Sequence, residues 1–401
     1  MPTRRAWIFI LLAVALYMLA NQTQVGWVYV MSNAVTGLLL VAFFYSRGML
    51  KSIRLERAFY NLSAQPGLPK DSLLEDTNFF EDDPIEVTLH LSRSRVKPAF
   101  LISGREYCPP APPGEQNQPF FIAGLFKNRP RQLVYQTTCH RRGLHAFPPV
   151  PLSSKGPFGF FGTRRTMPAP GEVLVYPQYY PLKRIRLLEN KGFADKHVVR
   201  AGAGSEVIGT REYRSGDSLR RVHWRSTARF GSLVVKEFSD DDQLTMAVVL
   251  DLSKEGNVGQ GKFSTFETAI RLAASLAYYA EQRKIPFRLF GRGISRTPPA
   301  TALSWWGTLN YLARITNDGP DPLAQTLRNL PPLPFVVVMV SNPNEATYRE
   351  LASLSRQNTR ILALVITPEQ DTTLALPSQQ QAGLEIRQVN PLNWQAVFDE
   401  L

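Results

Sequence analysis

The chain has 401 residues and a formal net charge of +13, with 46 lysines and arginines against 33 acids. A chain of this length can form two or three domains, each with its own core. The charge makes nucleic acid and an anionic membrane surface candidate partners, but charge alone does not decide between them. Two cysteines, Cys108 and Cys139, are too few for a disulfide framework, which excludes the small disulfide-rich class and favours a reducing compartment.

Two apolar segments near the start of the chain predict a transmembrane helical hairpin. Residues 6–20 and 25–45 are uncharged and mostly apolar, and a helix needs roughly 20 such residues to cross a bilayer. A cleaved signal peptide is the alternative. It is disfavoured because Met18 does not suit the small-residue cleavage pattern and because a second apolar segment follows at once.

The charges that flank the hairpin predict its orientation. The linker at residues 21–24 is uncharged, whereas basic residues precede the first helix and follow the second. Because cytoplasmic flanks carry the excess of lysine and arginine, we expect a cell-membrane protein with both termini and the soluble domains in the cytoplasm. The flanking basic residues are Arg4, Arg5, Arg47, Lys51, Arg54 and Arg57.

The part of the chain after the hairpin, residues 58–180, has short strand-like segments separated by proline and glycine. Several such segments without an intervening helix predict an antiparallel, β-rich domain with a sandwich-like fold. The proline-rich segment at residues 109–119 is expected to be a polar loop. The predicted strands, chosen by their β-branched and aromatic content, are residues 84–94, 97–104, 131–140 and 172–177.

From residue 241 onward, apolar segments alternate with segments of helical periodicity. This alternation predicts a parallel, doubly wound sheet with helices on both faces and with any ligand site at the carboxyl ends of its strands. The predicted strands are residues 244–251, 286–291, 335–342 and 360–367, and the predicted helices are residues 263–284, 304–315 and 344–357.

One of these strands ends in Asp251, with Ser253 two residues later. This pair resembles the Asp-x-Ser-x-Ser loop of von Willebrand factor A-like domains, whose oxygen atoms hold a magnesium ion. However, Glu255 replaces the second serine, and Ser341-Asn342 stands where a second acid is expected. Asp251 and Ser253 are therefore a degenerate candidate for magnesium. The alternative is that both side chains bond the backbone of their own loop.

An arginine-rich segment at residues 209–238 precedes the predicted α/β domain. Its pattern predicts a strand, a turn in which Asp217 or Ser218 caps a helix over residues 219–229, and a second strand. Two interpretations are open. Either Glu212 and Asp217 pair with the arginines in a structural network in which Trp224 stacks, or unpaired arginines bind an anionic partner. The acids and the tryptophan interleaved with the arginines favour the network.

The same segment resembles the signature R-x-Y-x-x-G-D-x-x-R-x-(I/V)-(D/H)-W-x-x-(S/T)-A-R of the family called domain of unknown function 58. Residues 141–161 are similar to a second motif of that family, R-R-G-x-Y…D-P-F-G-L-F, with Lys155-Gly156 at the usual acidic position. The resemblance covers nearly the whole chain. The signature residues, which are also the candidate interaction residues, are Arg211, Tyr213, Gly216, Asp217, Arg220, Arg221, His223, Trp224 and Arg229.

The resemblance and the sequence pattern together imply a multidomain chain of four segments. They are a hairpin with its basic flank at residues 1–57, a β-rich domain at 58–180, a connector with the signature at 181–240, and a von Willebrand factor A-like, Rossmann-like α/β domain at 241–401. The resemblance implies no established reaction. It does imply a partner class, since members of the family often accompany MoxR-type AAA+ ATPases.

We therefore expect a membrane-anchored interaction or assembly module that acts with a MoxR-type AAA+ ATPase, is not an enzyme and needs no cofactor. One alternative is a protein that binds nucleic acid or an anionic membrane through its net charge. Nucleic acid ranks lower, because much of the charge flanks the hairpin and no dense aromatic and basic platform is present. Another alternative is a metal-dependent enzyme that uses the Asp251 loop with magnesium.

Overall fold

The computed structural model describes residues 2–63, 78–182, 185, 200–213, 222–240, 245–299, 301–341, 343–357, 359–367 and 383–400. The chain divides into two units, Met1–Gln178 and Tyr179–Leu401. The first unit contains two apolar helices and a strand-rich region, and the second contains a parallel α/β region. The coarse fold class predicted from the sequence is thus confirmed, while the boundaries of the four segments stay predictions.

The two N-terminal helices are α1 (Arg4–Thr23) and α2 (Gly26–Ser46), and both are long and apolar enough to cross a membrane. Small side chains form the seam between them, with Ala6, Ala13 and Ala20 buried at intervals of one heptad. Across the seam, the Ser32 hydroxyl donates a hydrogen bond to the Ala13 carbonyl oxygen at 2.9 Å. Small residues allow two helix backbones to approach closely, so this seam holds the hairpin together.

Within its described residues, the strand-rich region contains ten strands in three sheets. The sheet orders are β1-β3-β6, β5-β4-β8-β9 and β2-β10-β7, and all pairs are antiparallel except β2 with β10. The strands are β1 (Ile53–Asn61), β2 (Phe79–Phe80), β3 (Pro84–Arg93), β4 (Ala99–Tyr107), β5 (Asn117–Leu125), β6 (Arg131–Thr138), β7 (Gly143–Ala146), β8 (Val150–Ser154), β9 (Thr163–Met167) and β10 (Glu172–Tyr176).

Strand β5 corrects the expectation that residues 109–119 form only a loop. Its first residues, Asn117 to Pro119, pair with β4, and Pro119 lies opposite Arg105. Proline lacks an N–H group and is therefore tolerated at the edge of a sheet. In the described sheet β5 is an edge strand, which explains how a proline-containing segment takes part in the ladder.

Both cysteines belong to one hydrophobic core of the strand-rich region, together with Phe79, Phe147 and Val175. Cys108 and Cys139 are buried free thiols. Burial raises the pKa of the Cys108 thiol to about 11 and raises the pKa of Cys139 as well. Since the thiolate is the reactive form, these cysteines act as small core residues.

A buried ion pair joins β1 to β4. Arg57 Nε lies 2.9 Å from Glu106 Oε1, and both side chains are fully buried. The guanidinium also bonds the backbone carbonyls of Pro148 and Ala169 and lies over the ring of Phe147. The sequence placed Arg57 in the basic flank of the hairpin, so this residue is corrected to a core position. Burial raises the pKa of Glu106 to about 6, and the nearby arginine only partly offsets this effect.

The second unit contains an antiparallel pair of strands, β11 (Arg200–Glu212) and β12 (Val234–Asp240), with helix α3 (Trp224–Phe230) between them in the sequence. A parallel sheet follows, in the order β14-β13-β15-β16-β17. Its strands are β13 (Met246–Leu250), β14 (Phe287–Phe290), β15 (Phe335–Val340), β16 (Arg360–Ile366) and β17 (Leu384–Val389). The accompanying helices are α4 (Thr265–Gln282), α5 (Trp305–Arg314), α6 (Leu323–Arg328), α7 (Glu345–Arg356) and α8 (Val397–Glu400).

Local sequence explains where these helices begin. Ser264 caps α4 by accepting a hydrogen bond from the Glu267 backbone N–H at 3.2 Å, in the spacing of a capping box. Ser304 and Asn344 cap α5 and α7 in the same way. Strands β13 and β15 are buried along their whole length, as continuous apolar segments predict for the centre of a parallel sheet.

We predict that Ala13→Leu destabilises the hairpin by about 1 to 3 kcal/mol, because a larger side chain does not fit the seam. Val14→Leu is the matched control, since Val14 lies on the exposed face of α1. The measurement is thermal unfolding of the full chain in detergent. Equal melting temperatures for the two variants would show that Ala13 is not closely packed between α1 and α2.

The raised pKa of Glu106 predicts a pH dependence of stability. The folded-state pKa of about 6 exceeds the ordinary value of 4.5, so this group stabilises the fold below about 4.5 and loses that contribution as the pH rises through about 6. Denaturant unfolding of the full chain in detergent at about pH 5 and about pH 7.5 measures this loss. It should be absent in Glu106→Gln and retained in Glu172→Gln, which changes an exposed acid. An unchanged pH dependence in Glu106→Gln would disprove the assignment.

Candidate functional site

Helix α3 carries the C-terminal half of the family signature and is fixed to β12 by hydrogen bonds at its start and at its middle. The His223 backbone N–H donates to the Val234 carbonyl at 2.8 Å, and the Val234 N–H donates to the Thr227 hydroxyl at 3.1 Å. Gly231 ends the helix with φ of 70°, a left-handed conformation that suits glycine. The orientation of α3 relative to β12 is thus set by the backbone.

The start of α3 differs from the prediction. The expected helix began at residue 219 with Asp217 or Ser218 as its cap, whereas α3 begins at Trp224 and its cap is His223. The His223 ring Nδ1 accepts from the Ser226 N–H at 3.2 Å and lies 2.7 Å from the Ser226 hydroxyl oxygen. An imidazole nitrogen can replace the usual cap oxygen because it is also an acceptor.

Large apolar side chains on and beside α3 are exposed. Trp224 is 66% exposed and Phe230 is 68% exposed, and Leu233 just beyond the helix is also exposed. No residue of α3 is buried. The arginines of the same helix, Arg225 and Arg229, are exposed as well. We call Trp224, Arg225, Arg229, Phe230 and Leu233 the signature surface. Large exposed apolar side chains on one short helix mark a candidate binding surface.

The other predicted signature residues are placed only in part. Arg211 lies on β11, and Tyr213 follows that strand and is half-buried, with its N–H bonded to the Leu233 carbonyl. Gly216, Asp217, Arg220 and Arg221 lie outside the described residues. The proposed pairing of Asp217 with arginines therefore stays a prediction. Phe230 and Leu233 were not singled out from the sequence, because the motif ends at Arg229 and exposure is a tertiary property.

The Asp251 loop lies at the carboxyl end of β13. Asp251 is buried, and its Oδ1 accepts from both the backbone N–H and the hydroxyl of Ser253, at 3.0 Å and 2.6 Å. The Ser253 hydroxyl in turn accepts from the Gly256 N–H at 3.2 Å. Burial raises the pKa of Asp251, and the bonds from Ser253 oppose that effect. Asp251 and Ser253 thus stabilise their own loop. This agrees with the expectation that both side chains bond the backbone of that loop.

The strand order places this loop at a position where α/β sheets often bind ligands. Strand β13 has β14 on one side and β15 on the other, so the chain reverses its direction of winding at β13. Crevices form outside the carboxyl ends of strands at such switch points. Ser341 follows β15 at the same edge, and its buried hydroxyl has no hydrogen-bond partner among the residues that the structure describes.

Two further loops meet the Asp251 loop at this edge. The Gly319 N–H donates to the Leu252 carbonyl at 2.7 Å. A Cβ atom at Gly319 would lie 2.4 Å from the Arg292 carbonyl oxygen, so only glycine allows the loops after β14 and α5 to approach this closely. The Ser295 hydroxyl and the backbone N–H groups of Ser295 and Ile294 donate hydrogen bonds to Asp318, and these bonds lower the pKa of its carboxyl group.

The predicted magnesium ligands Asp251 and Ser253 therefore lie together, but the ligand set around them is small. In the described part of the chain, no group of three or more histidine, cysteine or acidic residues could hold a metal ion. Asn342, the position at which the sequence departs from a second acid, lies outside the described residues. Magnesium binding stays a prediction that rests on these two residues alone.

Comparison with known families identifies part of the chain. The family described as "Protein of unknown function DUF58" matches residues 209–382. The match covers somewhat less than half of the chain. It includes the signature surface and the Asp251 loop, while the apolar hairpin and the strand-rich region precede it. The family was predicted from residues 211–229 and from a second motif at residues 141–161, and the match confirms the family for residues 209–382.

Other comparisons add no functional information. No curated protein matches the chain. A GH20 exo-β-N-acetylglucosaminidase from Vibrio harveyi in complex with N-acetylglucosamine is 9% identical, with a TM-score of 0.22. An inactive mutant of that enzyme is 10% identical, with a TM-score of 0.21. In both, the match covers 79% of this chain and 57% of the other. These scores are too low to support an argument about fold or activity.

The two serines at the sheet edge give a matched pair of predictions. Ser253→Ala removes both hydrogen bonds of a hydroxyl and should destabilise the protein by about 1 to 2 kcal/mol. Ser341→Ala removes a hydroxyl that has no described partner, so it should be neutral or stabilising. Denaturant unfolding of the full chain in detergent measures both variants. Destabilisation by Ser341→Ala equal to that by Ser253→Ala would show that the Ser341 hydroxyl has a partner.

Proposed function

We propose that this protein is a membrane-anchored protein-interaction module and that its signature surface is a docking site for a protein partner. The observation that carries the proposal is the exposure of Trp224 and Phe230 on a helix that buries none of its residues. Such a helix has no role in a core. Exposed aromatic side chains lower the solubility of a protein, and a binding function explains why they are exposed here.

The composition of the signature surface supports a protein partner. Tryptophan and arginine are the residue types most enriched among those that dominate binding energy at interfaces. Here α3 exposes both types, the aromatic side chains of Trp224 and Phe230 and the cationic side chains of Arg225 and Arg229. A partner with an apolar pocket surrounded by acidic groups would complement both features.

The membrane anchor is supported by the outer faces of α1 and α2. In the most apolar 18-residue stretch of each helix, only 17% of the residues of α1 and 22% of those of α2 are buried. The core helix of a soluble protein is mostly buried. The exposed side chains include Trp7, Leu11, Trp27 and Phe44. We propose that the hairpin crosses the cell membrane with both termini and the soluble regions in the cytoplasm, since the basic residues flank the helices on that side.

As the partner we propose a MoxR-type AAA+ ATPase, with which the protein would act as an adaptor or assembly factor. The support is the resemblance to the family, together with the proposed cytoplasmic position of the signature surface. We further propose that the parallel α/β region is von Willebrand factor A-like, on the basis of Asp251 and Ser253 at the switch point of its sheet.

Affinity purification of the full-length protein from its native membrane, with crosslinking and mass spectrometry, tests this function. We expect an AAA+ ATPase to copurify, and we expect Trp224→Ala to lower its recovery by about tenfold or more, because truncation of a tryptophan at an interface hot spot costs about 2 kcal/mol or more. Comparison with and without ATP shows whether the interaction depends on the nucleotide state.

Phe263→Ala is the matched control, because Phe263 is an exposed aromatic residue outside the signature surface in the same unit. It should leave recovery unchanged. A partner that copurifies equally with both variants would place the docking site elsewhere. Recovery of nucleic acid without a specific protein would instead support the alternative that the net charge determines the partner.

A further inference from the structure

The end of the strand-rich region that adjoins the helices is joined to the helix ends by direct hydrogen bonds. The Tyr45 hydroxyl near the end of α2 donates to the Pro98 carbonyl at 2.8 Å. The Thr163 hydroxyl donates to the Ser46 carbonyl, the last residue of α2, at 2.9 Å. At the start of α1, the Thr3 hydroxyl donates to the Gly159 carbonyl at 2.7 Å. The loops that contain these residues therefore lie level with the helix ends.

The strand register gathers three loops at this end. Ala99 pairs with Leu125, so the loop before β4, residues 94–98, adjoins the loop after β5, residues 126–130. Ser154 pairs with Ile102, which brings the loop after β8, residues 155–162, to the same place. We call these three loops the collar.

The collar is basic and exposed. Arg95, Lys97, Lys127, Arg129 and Lys155 lie in it, and all five are exposed. The three loops contain no aspartate or glutamate, nor do the neighbouring residues 2–5 and 47–55. The opposite end of the strand-rich region is different, since its loops carry the four acids Glu81, Asp82, Asp83 and Glu115 together with the two arginines Arg141 and Arg142. Positive charge is thus concentrated where the helices end.

Apolar side chains accompany the basic ones. Val96 is 77% exposed between Arg95 and Lys97, and Phe158 is exposed in the third loop. The next residues of that loop, Phe160 and Phe161, pack against the helices in a core with Ala6 and Leu39. Basic residues interspersed with exposed apolar ones at the boundary of an apolar helix are typical of contact with lipid headgroups.

We propose that the collar binds the headgroups of anionic phospholipids in the membrane that the hairpin crosses. This inference rests on the proposed membrane anchor. The occupant follows from position, because a loop hydrogen-bonded to the end of a membrane-spanning helix lies at the headgroup layer. Charge complementarity then selects anionic over neutral headgroups. The collar thereby holds the strand-rich region against the membrane surface through residues far from the hairpin in sequence.

The test uses full-length protein in phosphatidylcholine vesicles that contain spin-labelled phosphatidylglycerol or spin-labelled phosphatidylcholine. Electron paramagnetic resonance gives the relative association of the two lipids with the protein. We expect a preference for phosphatidylglycerol of about fivefold, which falls as salt is raised. The fourfold variant Arg95→Glu, Lys127→Glu, Arg129→Glu and Lys155→Glu should show no preference.

Arg105→Glu is the matched control, because Arg105 is an exposed arginine on β4, six residues from the collar end of that strand or roughly 20 Å away. It should keep the preference of the wild type. A second variant with glutamine at the same four positions should show an intermediate preference. Unchanged melting temperatures in all variants show that they are folded.

Three results would overturn the inference. If the wild type floats with the vesicles but associates equally with both lipids, the collar does not bind anionic headgroups, although the anchor stands. If the fourfold variant keeps the preference, the helix-flanking arginines alone produce it. A protein that does not float with the vesicles would instead refute the membrane anchor and this inference with it. Binding of single-stranded RNA, lost in the fourfold variant while lipid preference is absent, would assign the collar to nucleic acid.

Discussion

Hydrogen bonds from Thr3, Tyr45 and Thr163 join the ends of the apolar hairpin to the loops of the strand-rich region, and Phe160 packs into the same junction. An apolar hairpin on a flexible linker would leave the following region free to turn. Here, because both helix ends are bonded and packed, the hairpin determines which loops of the strand-rich region lie beside the helix ends. In the proposed membrane anchor, those loops face the membrane. The collar follows from this constraint, since the same register that pairs β4 with β5 and β8 brings its loops together.

The sequence predicted the second unit more fully than the first, for a physical reason. Strands β13 and β15 are continuous apolar segments buried on both faces, and cap residues such as Ser264 mark where helices begin, so local patterns were sufficient. Strand β5 was missed because its proline is tolerated only at an edge, and the edge position depends on pairing with a distant strand. The position of a strand in its sheet cannot be obtained from the strand's own residues.

The candidate sites show the same division between local and tertiary information. The signature identified the family, and Asp251 with Ser253 formed the local hydrogen bonds expected of an Asp-x-Ser loop. The role of His223 as a cap was not anticipated, because histidine is not among the usual cap residues. The exposure of Trp224 was also unexpected, since a tryptophan among arginines suggested stacking in a network, whereas 66% of its surface is exposed.

The net charge of +13 has a structural distribution that its value alone does not reveal. Arg57 was counted with the flank of the hairpin but is buried against Glu106, where it stabilises the contact between two sheets and is inaccessible to a partner. Arg95 and Lys127 are distant from both helices in the sequence and were therefore not counted as flanking residues. In the structure they are exposed in the collar, beside the helix ends. Five exposed basic residues of the strand-rich region lie in the collar, which is where the proposed membrane anchor would place an anionic surface. The arginines of the signature surface are separate from this group, and their position beside exposed aromatic side chains favours a protein.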